Sequence, residues 1–266
     1  MLIEETLEKL RSMKLRTMVE AVHKQLKDPG FAKLSFEDRL GLIVDREWLA
    51  RKNRRLSRRL SEAHFRFQAR IEEIDRGKRP GLEKSFVSQL SSCEWIRQHL
   101  NLLITGPTGV GKTFLACAFG TRACQEGFRV LFYRTPRLFQ ELELGRCDGT
   151  YLKLLAKLKR SDLLIIDDWG ISAFTDSERR HFLEIIEDRY ELGSTIVCFQ
   201  VPLRKWHSVI GEPTIADSIL DRLVHSAYKL ELTGESFRKR KSNKEGAARR
   251  SLKAPAGLYH TSLENA

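Results

Sequence analysis

The 266-residue chain lacks the marks of a secreted or membrane-integral protein. No apolar run approaches the roughly 18 residues that crossing a bilayer requires, and the opening segment MLIEETLEKL is acidic where a signal peptide is basic. A cytoplasmic protein with no membrane partner is expected. Cysteine is sparse: Cys93, Cys117, Cys124, Cys147 and Cys198 are odd in number and scattered, none stands in a C-x-x-C pair, and no histidine follows at metal-ligand spacing. That excludes a disulfide framework or a zinc site and leaves buried, reduced thiols. Internal repeats are missing too, as are a zinc finger, a clear helix-turn-helix and the interleaved aromatic and basic residues of single-strand binders.

What the chain has in excess is positive charge. Lys and Arg number 47 against 35 Asp and Glu, a net +12, while 41% hydrophobic residues are enough to build a core. The charge is concentrated. Six basic residues, Arg51, Lys52, Arg54, Arg55, Arg58 and Arg59, fall within ten positions, and a second basic stretch runs from Arg238 to Lys253. Either stretch suits a polyanion; either is also compatible with a solvated helix face or a flexible tail.

The first 63 residues read as helical. Leu7, Leu10, Leu15, Met18, Val22 and Leu26 form one imperfect helical stripe that stops at Asp28, Pro29 and Gly30. Ser35 with Asp38 opens a second helix, whose apolar face includes Leu40, Ile43 and Trp48 and which runs on into the basic cluster. Glycine and proline between Gly77 and Gly81 place a linker over 64–83. From Asn101 short apolar runs alternate with helical patterns: 102–104, 128–133, 163–166, 195–199 and a more exposed run at 228–232. Buried strands separated by helices predict an α/β fold with a parallel five-stranded sheet covered on both faces. The expected domains are a helical unit at 1–63, an α/β unit at 84–236 and a basic tail at 237–266.

The most specific motif is Gly106, Pro107, Thr108, Gly109, Val110, Gly111, Lys112 and Thr113, set between a predicted strand (101–105) and a predicted helix (113–125). This is a P-loop in its required context. Glycines let successive backbone N–H groups point inward, and the helix N-terminus adds partial positive charge. Lys112 then neutralises the β- and γ-phosphates of ATP, and the Thr113 hydroxyl binds Mg²⁺. Asp167, fifty-five residues after Lys112, and Asp168 close the apolar run Leu163 to Ile166. A buried strand ending in two acids delivers carboxylates to the sheet edge where ligands of α/β folds gather. Asp167 is the candidate metal ligand, and Asp168 the group that orients and deprotonates an attacking water. Alone, the pair also fits a solvated turn. Gln200 follows the strand ending at Phe199, where a γ-phosphate sensor or an ordinary turn residue belongs. Arg222 precedes the last strand and is either a trans-acting arginine finger or the partner of Asp217 or Asp221.

Together these residues resemble the AAA+ ATPases, and within them the IstB-like helper proteins of insertion sequences, relatives of bacterial helicase loaders. The matching stretches are NLLITGPTGVGKT (101–113), LLIIDDWG (163–170), ILDRLVH (219–225) and GESFRK (234–239). The resemblance implies an AAA+ fold lacking most of the C-terminal lid, and an ATP-driven homo-oligomer with shared ATP sites that binds duplex DNA and serves a transposase. By position it gives residues 106–113 and Phe114 to the nucleotide, Thr113 and Asp167 to Mg²⁺, Asp168 to water, Arg222 to the finger, and Gln200 and Arg238 to sensor roles. Phe199 stands where a small polar residue is expected before the sensor. DNA contacts fall to Arg51–Arg59 and are expected to be largely independent of sequence. The competing readings are a replicative helicase loader, a small-molecule kinase without a visible acceptor insertion, and a non-catalytic coat protein stabilised by ATP.

Overall fold

The structure, a computed structural model, describes residues 3–74, 82–170, 172–234 and 236. The α/β unit is a five-stranded sheet in the order β2-β3-β4-β1-β5, built from β1 (Asn101–Thr105), β2 (Val130–Arg134), β3 (Leu163–Trp169), β4 (Ser194–Phe199) and β5 (Ala227–Glu231). Every pairing is parallel. Alternate side chains of each strand enter opposite cores. Leu102, Ile104, Leu163, Ile165, Ile196 and Cys198 face one side. Leu103, Leu164, Ile166, Val197 and Phe199 face the other. These runs are continuous in apolar character because both faces are covered.

One face is covered by α6 (Lys112–Gln125), α4 (Lys84–Ser91) and α5 (Glu94–Arg97). The other carries α7 (Thr135–Asp148), α8 (Tyr151–Lys159), α9 (Asp176–Arg189), α10 (Trp206–Ile210) and α11 (Pro213–Val224). Helix α6 is buried around much of its circumference, and small residues (Ala116, Cys117, Ala118, Gly120, Ala123) let it lie between the sheet and a second layer. Four of the five cysteines are buried and all are unpaired; burial pushes the thiols of Cys93 and Cys117 up to about 11 and that of Cys124 to about 12. Cys147 departs from expectation: it sits near the end of α7, exposed. Among the described residues, no helix is long and apolar enough to cross a membrane.

The N-terminal arm is α1 (Ile3–Ser12), α2 (Arg16–Lys27) and α3 (Phe36–Ala63). The single stripe read from Leu7 to Leu26 is in fact two helices, broken where Lys14 takes a left-handed φ of 60°. Leu26 ends up exposed, which explains the stripe's imperfect period. Asp28 caps a short 3₁₀ turn at Pro29–Lys33, and Ser35 accepts the Asp38 N–H to start α3, as its capping pattern predicts. The predicted core face of α3 needs correction. Leu40 and Trp48 are 44% and 59% exposed, and the residue that α3 does bury in the arm is Glu47. Its carboxylate accepts the N–H groups of Thr17 and Met18 at 3.0 and 3.2 Å, capping an α2 N-terminus that has no side-chain cap of its own.

The junction after α3 is not a loose tether either. Ala63, Ala69 and Ile74 are buried in the same core as α6, with Phe65 and Ile71 packed against it. The glycine-rich part of the predicted linker, 75–81, lies outside the described residues, as does the tail from Phe237 onward, and with it the question of a C-terminal lid. The strap of residues 64–74 sits where Gly120 admits it: a Cβ there would come within 2.6 Å of the Phe65 ring and 2.8 Å of Ile165. Gly120→Ala, favoured by helix propensity by about 1 kcal/mol, is therefore expected to destabilise the protein by about 1–3 kcal/mol through overpacking. Thermal unfolding checks this, and a raised Tm would show that the strap is not held against α6.

Candidate nucleotide site

Strand β1 ends at Thr105, and the chain turns through residues 106–111 into α6, whose N-cap is Gly111. Gly106, Gly109 and Gly111 take φ of 143°, 86° and 96°, a backbone region that side-chain-bearing residues seldom occupy. Gly106 has a second constraint, because a Cβ there would stand 2.3 Å from the carbonyl oxygen of Leu232 just beyond β5. The resulting cradle opens onto the positive end of the 14-residue α6. Val110 is buried beneath it, and Phe114, in the first turn of the helix, packs against the core. Lys112 is nearly buried and folds over its own loop, donating to the carbonyls of Gly106 at 2.6 Å and Pro107 at 2.9 Å.

The Thr113 hydroxyl lies 2.9 Å from each carboxylate oxygen of Asp167. Asp167 is 1% exposed, and its backbone carbonyl accepts the Thr135 hydroxyl at the start of α7. Burial raises its pKa and the neighbouring Asp168 raises it further. Successive strand residues normally point apart. Here the register shifts between Ile166 and Trp169, and Asp168 takes a left-handed φ of 60°, which Asp tolerates better than most residues. Both carboxylates consequently reach one guanidinium. Arg66 Nη1 is 3.7 Å from Asp167 and 3.5 Å from Asp168, while Arg134 Nε lies 2.9 Å from Asp168. Trp169 anchors the strand end in the core, with its ring centroid 4.1 Å from that of Trp206.

Gln200, one residue past β4, accepts the Thr108 hydroxyl at 2.8 Å, so it touches the loop despite Phe199 being wholly buried before it. Residues 106–114, Asp167, Asp168 and Gln200 are thus gathered at the C-terminal edge of the sheet. Arg222 is not among them. Asn101, at the start of β1, donates its side-chain amide to the carbonyls of Arg222 and Leu223, which puts Arg222 at the opposite edge. Its guanidinium pairs with Glu187 of α9 at 3.2 Å, not with Asp217 or Asp221 as its neighbours in sequence had suggested. Arg238 lies outside the described residues.

The basic cluster on α3 is unequal. Arg51 and Arg54 are bound to Glu47 at 2.7 and 3.3 Å, and Arg58 to Glu62 at 2.7 Å. Lys52 lies over the Trp48 ring, and Arg55 and Arg59 make no ion pair among the described residues. Sequence reasoning missed Arg66 and Arg134. Arg134 had a signal, since it closes an apolar strand as Gln200 does; Arg66, on a strap without a motif, had none.

The donors fit a magnesium nucleotide. Thr113 and Asp167 present oxygen atoms side by side, and a Mg²⁺ ion takes few protein ligands, with phosphates and waters supplying the others. Among the described residues, no group of three or more His, Cys, Asp or Glu side chains forms an all-protein metal cage.

A family model described as IstB-like ATP binding protein matches residues 8–245. The chain belongs to the IstB-like ATP-binding family. An insertion sequence ATP-binding protein of Sinorhizobium fredii, y4pL, is 44% identical over 244 residues, covering 92% of this chain and all of the relative. The insertion sequence IS21 ATP-binding protein of Pseudomonas aeruginosa is 29% identical over 237 residues, 89% of each chain. Among solved structures, the DnaC helicase loader aligns with a TM-score of 0.51 at 22% identity, covering 63% of this chain and 98% of that one. AMPPCP-bound DnaA from Aquifex aeolicus aligns at 0.52 and 18% identity, covering 73% and 59%. These likenesses establish the AAA+ P-loop fold that the IstB-like motifs imply.

The ion pairs to Arg66 generate a prediction. Arg66→Gln removes one of two cations beside the acids, and a partly exposed pair is worth about 0.2–1 kcal/mol. Mg²⁺ should then bind the nucleotide-free protein more tightly, by up to about fivefold, in calorimetric titration. Unchanged affinity would show that Arg66 does not screen the carboxylates.

Proposed function

We propose that this IstB-like protein is a transposition helper that hydrolyses ATP to ADP and phosphate while assembled on duplex DNA. The observation that carries hydrolysis is the division of labour between the acids: Asp167 is engaged with Thr113, whereas Asp168, on its left-handed turn, leaves that pair and faces the arginines. A second carboxylate beside the metal-binding pair is what a hydrolytic site needs to orient water and accept its proton. In this reading the P-loop N–H groups and Lys112 hold the phosphates. Mg²⁺, held by Thr113 and Asp167, supplies charge neutralisation. Asp168 takes the proton of the water whose oxygen attacks the γ-phosphorus, and the β–γ bridging oxygen leaves with ADP. Gln200, tied to Thr108, orients the γ-phosphate side of the loop.

The position of Arg222 supports a shared site. On the edge opposite its own P-loop it serves the ATP of a neighbouring copy as a finger, exchanging Glu187 for a phosphate. ATP bound between copies then favours the assembled state by binding it more tightly than the separate chains. The α3 cluster supplies phosphate contacts to DNA without reading bases. A transposase partner is favoured over a replicative helicase because the full-length relative at 44% identity is named for an insertion sequence, whereas the loader likeness is one of fold.

Three variants test the reading by nucleotide binding and phosphate release. Lys112→Ala should abolish ATP binding. Asp168→Asn should bind ATP and remain on DNA while turnover falls by about 10²–10⁴; normal turnover would remove Asp168 from the chemistry. Mixing Arg222→Ala with Asp168→Asn chains should restore part of the activity through mixed interfaces, and a mixture as inactive as its components would refute a finger acting in trans.

A further inference from the structure

Arg55 and Arg59 of α3, which make no ion pair among the described residues, do not stand alone. Where α3 runs against β2, the outer strand of the sheet, it leaves a cleft of about 650 Å³. Arg55, Arg58 and Arg59 form one wall; Arg129, just before β2, and Lys157 of α8 stand on the other, with His64 at the end of α3 between them. Arg59 reaches the turn that leads into β2, its Nη2 lying 3.8 Å from where a Cβ on Gly127 would be. Five cations from three separate stretches of sequence therefore converge, and the one acid among them, Glu62, is already bound to Arg58. Its carboxyl is held below the ordinary range chiefly by that hydrogen bond, with Arg129 and Lys157 contributing at longer range.

Like charges gathered by folding repel one another, and the repulsion persists until an anion enters. The geometry selects among anions. Among the described residues no P-loop-like glycine cradle lines the cleft, and Tyr133, beside it, is engaged by Lys157 at its hydroxyl (3.3 Å), so neither a mononucleotide nor a run of stacked single-strand bases is suited to it. Lys52, Arg55 and Arg59 succeed one another on one face of α3 at three- and four-residue steps, about 4.5–6 Å apart along the axis. That track extends the cleft into a line of cations, the form that matches a chain of phosphates.

Resting on the DNA-binding reading above, we propose that this cleft seats the sugar–phosphate backbone of duplex DNA, so that the DNA interface is shared between the N-terminal helix and the ATPase unit. Arg129 and Lys157 join Arg55 and Arg59 as phosphate contacts, and the cleft fixes how the arm's DNA lies on the ATPase sheet. It opens at the N-terminal edge of β2, away from the P-loop edge, so its variants leave the nucleotide cradle untouched.

The test is the double variant Arg129→Gln with Lys157→Gln, in the full chain with ATP, binding a labelled mixed-sequence duplex across a salt series. Loss of two phosphate contacts should weaken binding about tenfold or more and flatten the slope of log affinity against log salt by about two. Arg129→Lys, which keeps the charge, should retain most of the affinity, and ATP binding should be unchanged in both variants. Wild-type affinity and slope in the double variant would overturn the cleft while leaving DNA binding by α3 intact. Wild-type duplex binding together with lost binding of a polyglutamate peptide would overturn it in favour of an acidic protein segment. Failure of the unaltered protein to bind duplex at all would overturn both this proposal and the reading beneath it.

Discussion

A single buried carboxylate holds the nucleotide site together. Asp167 receives the hydroxyl of Thr113 from the first turn of α6 on its side chain and the hydroxyl of Thr135 from the first turn of α7 on its carbonyl. Three elements that share no local sequence are fastened at one residue of β3. Burial chiefly disfavours the charged form of this acid, and the adjacent Asp168 adds to that. A charge that the surroundings resist is one that a cation stabilises strongly.

The two ends of the sheet have different work. Because all five strands run the same way, their C-terminal ends arrive at one edge, and Thr105, Asp167, Asp168 and Gln200 lie at or next to those ends. The other edge collects cations. Arg189 is buried and satisfied by the carbonyls of Leu158, Ser161 and Ser194, tying α9 to the starts of β3 and β4 as a structural clamp. Arg222, nearby and partly exposed, has only Glu187 as an ionic partner among the described residues. Two arginines in one neighbourhood differ in how they are satisfied: the first is buried among carbonyls, the second holds the Ser218 carbonyl and Glu187 at a partly exposed position.

Between these edges runs the strap of residues 64–74. His64 closes α3 and borders the cationic cleft; Arg66, two residues on, pairs with both acids; Phe65 between them is pressed onto Gly120 of the P-loop helix. The N-terminal arm is therefore not merely appended. It is joined by packed chain to the segment that sets a cation beside Asp167 and Asp168 and that lies against α6.

Periodicity, turn residues and one spaced motif were enough to determine the P-loop, the acid pair, the α/β class and the Ser35 cap, because each depends on residues adjacent in the chain: glycines that permit positive φ, apolar runs that must be covered, a hydroxyl within reach of its own helix. Relations between distant segments were decided by tertiary structure. The sequence offered Asp217 or Asp221 to Arg222, but α9 brings Glu187 against it; it assigned Leu40 and Trp48 to a core face, but α3 buries Glu47 instead, since the open N–H groups of α2 had no nearer acceptor. Arg66 beside two aspartates about a hundred positions away, and Arg129 and Lys157 across from Arg55 and Arg59, have no trace in local pattern. Charge acts through space, and only the packed chain says which charges share that space.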